Sequence, residues 1–173
     1  MSDENILERV DPAFGNWLAG FADGEGCFRI SRARRGTESW SYSCLFSIGL
    51  RADDAAVLEE IQGHLGIGDI RHEERARKNW APMVKWTVRR KADVVDLVTV
   101  FKTYPLRAKK AQDFEIWRQA VDLWMTVQNR GYGGVHPAQV QMEALADELR
   151  YCRTFRLTGH QSTGATAPSK GAQ

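Results

Sequence analysis

The sequence predicts an α+β fold, a four-stranded antiparallel sheet made of two hairpins and covered on one face by helices. Three observations lead there. A helix start at Asp11-Pro12 precedes two segments with strand-like alternation, that unit of helix and strand pair recurs once, and the last part of the chain carries apolar residues at helical spacing. The resulting order is helix, strand, strand, helix, strand, strand, helix (αββαββα), plus two C-terminal helices.

Asp11 is a good N-cap and Pro12 suits the first helical position, so the first helix runs to about Asp23, ended by Gly24 and Gly26. Strands follow from Cys27 to about Arg35 and from Ser41 to about Arg51, joined by a turn at Gly36-Thr37-Glu38. In the second, Tyr42, Cys44, Phe46, Ile48 and Leu50 share one face, while Ser41, Ser43, Ser47 and Gly49 share the other, with Leu45 as the exception; the strand is half buried. Asp53 is expected to cap the second helix, which buries Val57, Leu58, Ile61 and Leu65 and stops at Gly66 and Gly68. In the second hairpin Ile67, Asp69, Arg71, Glu73 and Arg75 share a parity, and Val84, Trp86 and Val88 oppose Met83, Lys85, Thr87 and Arg89. Helices are expected from about Ala92 to Phe101, from Ala108 to Val127 with Phe114, Trp117, Val121 and Trp124 in one stripe, and from Pro137 to Tyr151. The expected organisation is an N-terminal extension over 1–10, one domain over 11–152 and a disordered tail over 153–173.

A chain of 173 residues with 43% hydrophobic side chains and seven Phe, six Trp and four Tyr buries a sizeable core, which excludes a largely disordered protein. No apolar run reaches the roughly 20 residues needed to cross a bilayer. The start, MSDENILERVDP, is acidic and lacks an apolar h-region, so no membrane partner and a cytoplasmic location are expected. Cys27, Cys44 and Cys152 form no C-x-x-C pair, which argues against a disulfide framework or a zinc site. The net charge of +2 hides an uneven distribution. Residues 31–110 hold sixteen basic and ten acidic side chains, whereas 1–30 hold two and six, and 111–150 hold three and six. A basic middle suits a polyanion, though a mixed-charge solvated surface gives the same numbers.

That basic segment falls on the open face of the sheet. Arg29, Arg35, Arg71, Arg75, Lys85 and Arg89, with Ser31, Ser43, Ser47 and Thr87 between them, offer donors to phosphates and base edges, and a two-stranded ribbon fits the major groove. Cross-strand ion pairs to Glu73 and Asp69 on an ordinary solvated face are the competing reading.

The stretch Leu18-Ala19-Gly20-Phe21-Ala22-Asp23-Gly24-Glu25-Gly26 is the end of a helix with small residues at Ala19, Gly20, Ala22 and Gly24, which allows close approach of another helix. Glu25 stands at a helix C-terminus, where the partial negative charge of the carbonyls disfavours a carboxylate; a divalent cation there would reverse the local sign. Packing within one subunit and a simple Asp-Gly-Glu-Gly turn are the plainer explanations.

This nine-residue stretch resembles the signature of the LAGLIDADG homing endonucleases, matching at Leu18, Ala19, Gly20, Asp23 and Gly26, with Glu25 as the acid of the eighth position. Cys27-Phe28 is similar to the usual start of the first strand, and Tyr104-Pro105-Leu106-Arg107-Ala108-Lys109-Lys110, followed by Asp113-Phe114-Glu115, to a second block of that family. The resemblance spans roughly residues 14–152. It implies the LAGLIDADG homing-endonuclease fold and Mg²⁺-dependent (or Mn²⁺-dependent) hydrolysis of one phosphodiester in each strand of a long, nearly palindromic double-stranded DNA site, with no small-molecule organic cofactor. Glu25 would bind the metal, Gly24 and Asp23 would shape the helix end beside it, and Lys109, or alternatively Lys110, would stand near the scissile phosphate. Where some members place a glutamine at the end of the second strand, this chain has Leu50 followed by Arg51, so Arg51 is expected to contact phosphate instead. The motif occurs once, which in this family implies a homodimer whose interface is made by Leu18, Ala19, Gly20, Ala22 and Asp23. RNA maturases and non-cleaving DNA-binding regulators of the same family are the alternative functions.

Overall fold

In the computed structural model, residues 5–35, 39–73, 81–126 and 137–158 are described. Helix α1 spans Pro12–Glu25, strands β1 and β2 span Gly26–Arg35 and Ser39–Arg51, and helix α2 spans Ala55–Leu65. Strands β3 (Asp69–Glu73) and β4 (Met83–Val88) form the second hairpin, followed by helices α3 (Lys91–Thr103), α4 (Lys110–Thr126) and α5 (Pro137–Thr158). The sheet is antiparallel throughout in the order β1-β2-β4-β3, so the two returning strands meet at its centre. The expected turn at Gly36-Thr37-Glu38, Arg75 and the tail beyond residue 158 lie outside the described residues.

Alternation decides which face of the sheet is buried. Phe28 on β1, Cys44, Phe46 and Ile48 on β2, and Val84, Trp86 and Val88 on β4 all point into one core and are fully buried. α1 meets it with Phe14, Leu18 and Ala22, spaced four apart on one face, and α4 with Phe114, Trp117 and Val121. Phe28 lies within 4.8 Å of the Phe46 ring and 5.2 Å of the Trp117 ring, measured between centroids. The indole N–H groups are satisfied, Trp86 donating to the Ile67 carbonyl (3.0 Å) and Trp117 to the Arg29 carbonyl (3.2 Å). Burial pushes the Cys44 thiol up to about 12, so it behaves as a small apolar side chain.

Several boundaries differ from the sequence expectation. α1 does not stop at Asp23; Gly24 is helical and Glu25 is the last helical residue. The first ten residues are more than an extension, because Ile6–Arg9 forms a 3₁₀ turn and Ile6 and Val10 join the core. Asp53 does not cap α2. It lies in a 3₁₀ turn at Ala52–Asp54, and its carboxylate accepts from the Arg51 guanidinium (3.1 and 2.9 Å), which holds the carboxyl below its ordinary range. α5 continues to Thr158, beyond the expected domain end at 152. Gly66 does end α2, in the left-handed conformation at φ 67.

Candidate active site and nucleic-acid interface

The chain passes from α1 into β1 without a loop, and Gly26 makes this possible. Its N–H donates to the Ala22 carbonyl, and a Cβ at this position would stand 2.6 Å from that oxygen and 2.9 Å from the Phe46 ring. Glu25 is thereby fixed where the helix C-terminus meets the edge of the sheet. Its side chain is exposed and has no hydrogen bond or ion pair among the described residues. No basic side chain occupies the last turn of α1, so the carboxylate adds to the negative end of the helix.

Two hydrogen bonds bring the second sequence block to this point. The Asp23 carboxylate (Oδ2) accepts the backbone N–H groups of Arg107 and Ala108, at 2.7 and 3.0 Å. Three residues further on, the Lys110 ammonium donates to the Gly24 carbonyl at 2.6 Å. Lys110 is therefore the lysine brought onto the helix end, one residue from Glu25. Lys109 is exposed. Leu106 is buried in the core and fixes the segment from below.

The open face reads row by row from the strand register. Cys27, Ser47, Thr87 and Asp69 are successive partners across the four strands, and so are Gly49, Lys85 and Arg71 in the next row, then Arg51, Met83 and Glu73. Arg29 and Ser31 extend the face along β1, Ser31 opposite Ser43. A groove of about 200 Å³ runs over it, lined by Glu25, Cys27, Arg29, Ser47, Gly49, Glu73, Met83, Val84 and Lys85. Arg35 closes β1 opposite Ser39.

Some expectations about this face change. Leu50 is packed against the core, so it is not the residue beside Glu25; Ser47 and Gly49 line the groove there. The Arg51 guanidinium is held by Asp53 at 2.9 Å and Arg89 by Asp69 at 3.2 Å, so each side chain is partly neutralised in the free protein. Sequence reasoning missed Gly49, Cys27 and Glu73 as groove residues. Parity alone places Glu73 with Arg71 but does not tell that it lacks an ion-pair partner among the described residues.

The small-residue stripe of α1 divides in two. Leu18 and Ala22 are fully buried in the chain's own core, and Asp23 is spent on the 107–108 backbone, so these three are not a free surface for a partner. Gly20 and Gly24 face open space, with nothing within 4 Å of a Cβ built at either, while Ala19 is 4% exposed. Trp17, 41% exposed, stacks on Phe21 beside that stripe, with ring centroids 5.3 Å apart and planes 9° from parallel.

The donors at the helix end suit a hard divalent cation. Glu25 offers a carboxylate with no hydrogen bond or ion pair and the last turn of α1 offers carbonyl oxygens, whereas the described residues contain no cluster of three His, Cys, Asp or Glu side chains. Mg²⁺ takes such a set, one or two carboxylates with water and phosphate oxygens completing its shell; a structural zinc site would need more protein ligands.

The sequence profile described as LAGLIDADG endonuclease matches residues 18–121. Over 110 residues the chain is 30% identical to a probable intron-encoded endonuclease, Cox1-I1b, of Schizosaccharomyces pombe, covering 62% of this chain and 27% of that protein. Over 126 residues it is 33% identical to probable intron-encoded endonuclease 3 of Neurospora crassa, covering 70% of this chain and 22% of that one. The chain thus spans about a quarter of the length of these relatives. Among solved structures it is similar to the LAGLIDADG meganuclease I-AabMI bound to uncleaved DNA, with a TM-score of 0.64 and 28% identity over 88% of this chain and 50% of that chain. The fold also matches the homing endonuclease I-TnaI, with a TM-score of 0.65 and 22% identity over 81% of this chain and 95% of that one. The profile match covers both the α1 signature and the segment that Asp23 ties to it, and on that ground the chain belongs to the LAGLIDADG endonuclease family.

Proposed function

We propose that this chain is a site-specific DNA endonuclease that hydrolyses phosphodiester bonds with a divalent cation, Mg²⁺ or Mn²⁺, as a homodimer on a long, nearly palindromic duplex. The observation that carries this reading is the unpaired Glu25 carboxylate at the end of α1, one residue from a carbonyl that holds Lys110, on the rim of a groove bearing Arg29 and Lys85. Unlike a carboxylate that reaches a base edge, one at the negative end of a helix beside Lys110 only weakens attraction to the polyanion unless a cation sits on it.

Glu25 and the Gly24 carbonyl would hold the cation, which supplies Lewis acidity and an activated water when bound. The Gly24 oxygen has a second lone pair beyond the one that accepts from Lys110. Lys110 places a positive charge where the leaving oxygen develops its negative one. Arg29, Lys85 and Arg71 attract and orient the duplex, with Ser47, Thr87, Ser31 and Ser43 as neutral donors between them. Arg51 and Arg89 would have to exchange a carboxylate for a phosphate or base edge. The Gly20 and Gly24 stripe is the surface on which a second α1 can pack, bringing two Glu25 carboxylates close together; such a pair repels unless cations lie between. I-AabMI, of which this chain covers half, is described as bound to DNA, which supports the same use of the sheet here.

The test is incubation of the protein with a randomised duplex library, with Mg²⁺ or with EDTA, followed by sequencing of the ends produced. Ends clustered around one site with dyad symmetry, formed only with the cation, are expected. Cutting in EDTA, or an intact library in the presence of protein that binds duplex, would contradict the reading.

A further inference from the structure

We propose that Glu73 reads a base, its carboxylate accepting a hydrogen bond from the N4 amino group of a cytosine in the major groove, so that it sets specificity at one position of each half-site. The inference rests on the reading that the sheet face lies against duplex DNA. Among the described residues, Asp53, Asp69, Glu25 and Glu73 are the carboxylates that stand on or beside that face. Asp53 is paired with Arg51 and Asp69 with Arg89. Glu25 has its place at the helix end beside Lys110. Glu73 alone is left without a role: it is exposed, lines the groove, and has no hydrogen bond or ion pair among the described residues. Its register partner is Met83, which offers no donor, and Lys85, one diagonal away, is not ion-paired with it.

Against a polyanion such a carboxylate is repelled by every phosphate, and the favourable partners within the groove are donors on base edges. An ionised carboxylate only accepts hydrogen bonds. The cytosine N4 donor has the paired guanine O6 on one side and the apolar C5–H on the other, whereas the adenine N6 donor lies between two acceptors, its own N7 and the thymine O4, both of which repel a carboxylate. Glutamine, with a donor and an acceptor, matches adenine instead. The side chain at 73 is therefore expected to dictate a C·G or an A·T pair.

The experiment is selection of bound sequences from a randomised duplex library by the full chain, its Glu73→Gln variant and its Glu73→Ala variant, in Ca²⁺ so that nothing need be cut. The wild type should prefer cytosine at one position of each half-site by roughly tenfold or more over the other bases. Glu73→Gln should turn that position toward adenine, and Glu73→Ala should flatten it while overall affinity stays equal or rises. Profiles identical in all three proteins would overturn the assignment and leave DNA reading by the rest of the face standing. An unchanged profile with an altered Ca²⁺ requirement would also overturn it, making Glu73 a cation ligand. If the wild type selects no duplex, the underlying reading of the sheet face fails as well.

Discussion

Asp23 and Arg107 stand 84 residues apart in the chain, yet the Asp23 carboxylate accepts the Arg107 backbone N–H at 2.7 Å and that of Ala108 at 3.0 Å through the same oxygen. This clamp ties the end of the signature helix to the segment that delivers Lys110. The other oxygen of Asp23 is buried without a partner among the described residues. Asp23→Ala should lose two charge-assisted bonds, about 1–2 kcal/mol of stability after allowance for their exposure, partly offset by removal of the orphaned oxygen. Cleavage should slow by roughly tenfold or more while duplex affinity changes little, because the lysine it positions is the one proposed to act at the scissile phosphate. Asp23→Asn keeps an acceptor and should recover most of the rate. Equal rates for Ala and Asn variants at matched folded fractions would rule out a positioning role.

The stripe on α1 predicts a separation of folding from assembly. A side chain at position 20 meets nothing within 4 Å in the chain itself, and glycine inside a helix costs about 0.5–1 kcal/mol relative to alanine. Gly20→Leu should therefore leave the melting temperature of the monomer unchanged or raised, while steric overlap prevents two α1 helices from meeting. Sedimentation velocity at micromolar concentration checks this. A variant that still sediments as a dimer would place the interface elsewhere.

Asp96 on α3 predicts a pH effect remote from the site. Burial and the neighbouring Asp93 raise its pKa, and Arg9 opposes them only in part. A raised carboxyl pKa means that the folded state holds the proton more tightly, so the contribution to stability is complete below the unfolded value of 3.8 and is lost as pH rises through the folded value. Asp96→Asn should stabilise the protein modestly at pH 7, with the advantage fading as pH falls through the folded value and gone below the unfolded one of 3.8. Thermal melts of both proteins across that range decide it; a gain that persists at low pH would have another origin.

The sequence made the element order and the buried face legible because alternation at Cys44, Phe46 and Ile48, and again at Val84, Trp86 and Val88, admits one sheet orientation. The signature also carried its meaning, since Gly26 is demanded by the approach of the Ala22 carbonyl and the Phe46 ring. What escaped was set by contacts distant in sequence or by competing local partners. Gly24 looks like a helix stop, yet the helix runs on through it to Glu25, and Asp53 has the look of a cap, yet Arg51 two residues earlier takes its carboxylate. The site was half visible: Glu25 stood out from its place at a helix end, but whether Lys109 or Lys110 approaches it depends on how Asp23 grips the 107–108 backbone, and no spacing rule encodes that.

If Glu25 holds the cation that drives cleavage, Glu25→Gln isolates that role. The substitution keeps the size of the side chain and its place at the helix end while removing the charge. The measurement is single-turnover cleavage with Mg²⁺ beside a gel-shift titration in EDTA, both on the duplex recovered from the library. The variant should bind as tightly as the wild type or more so, because a carboxylate beside phosphates is repulsive without a cation, and cleavage should disappear. Cutting at the wild-type rate by Glu25→Gln would contradict that role.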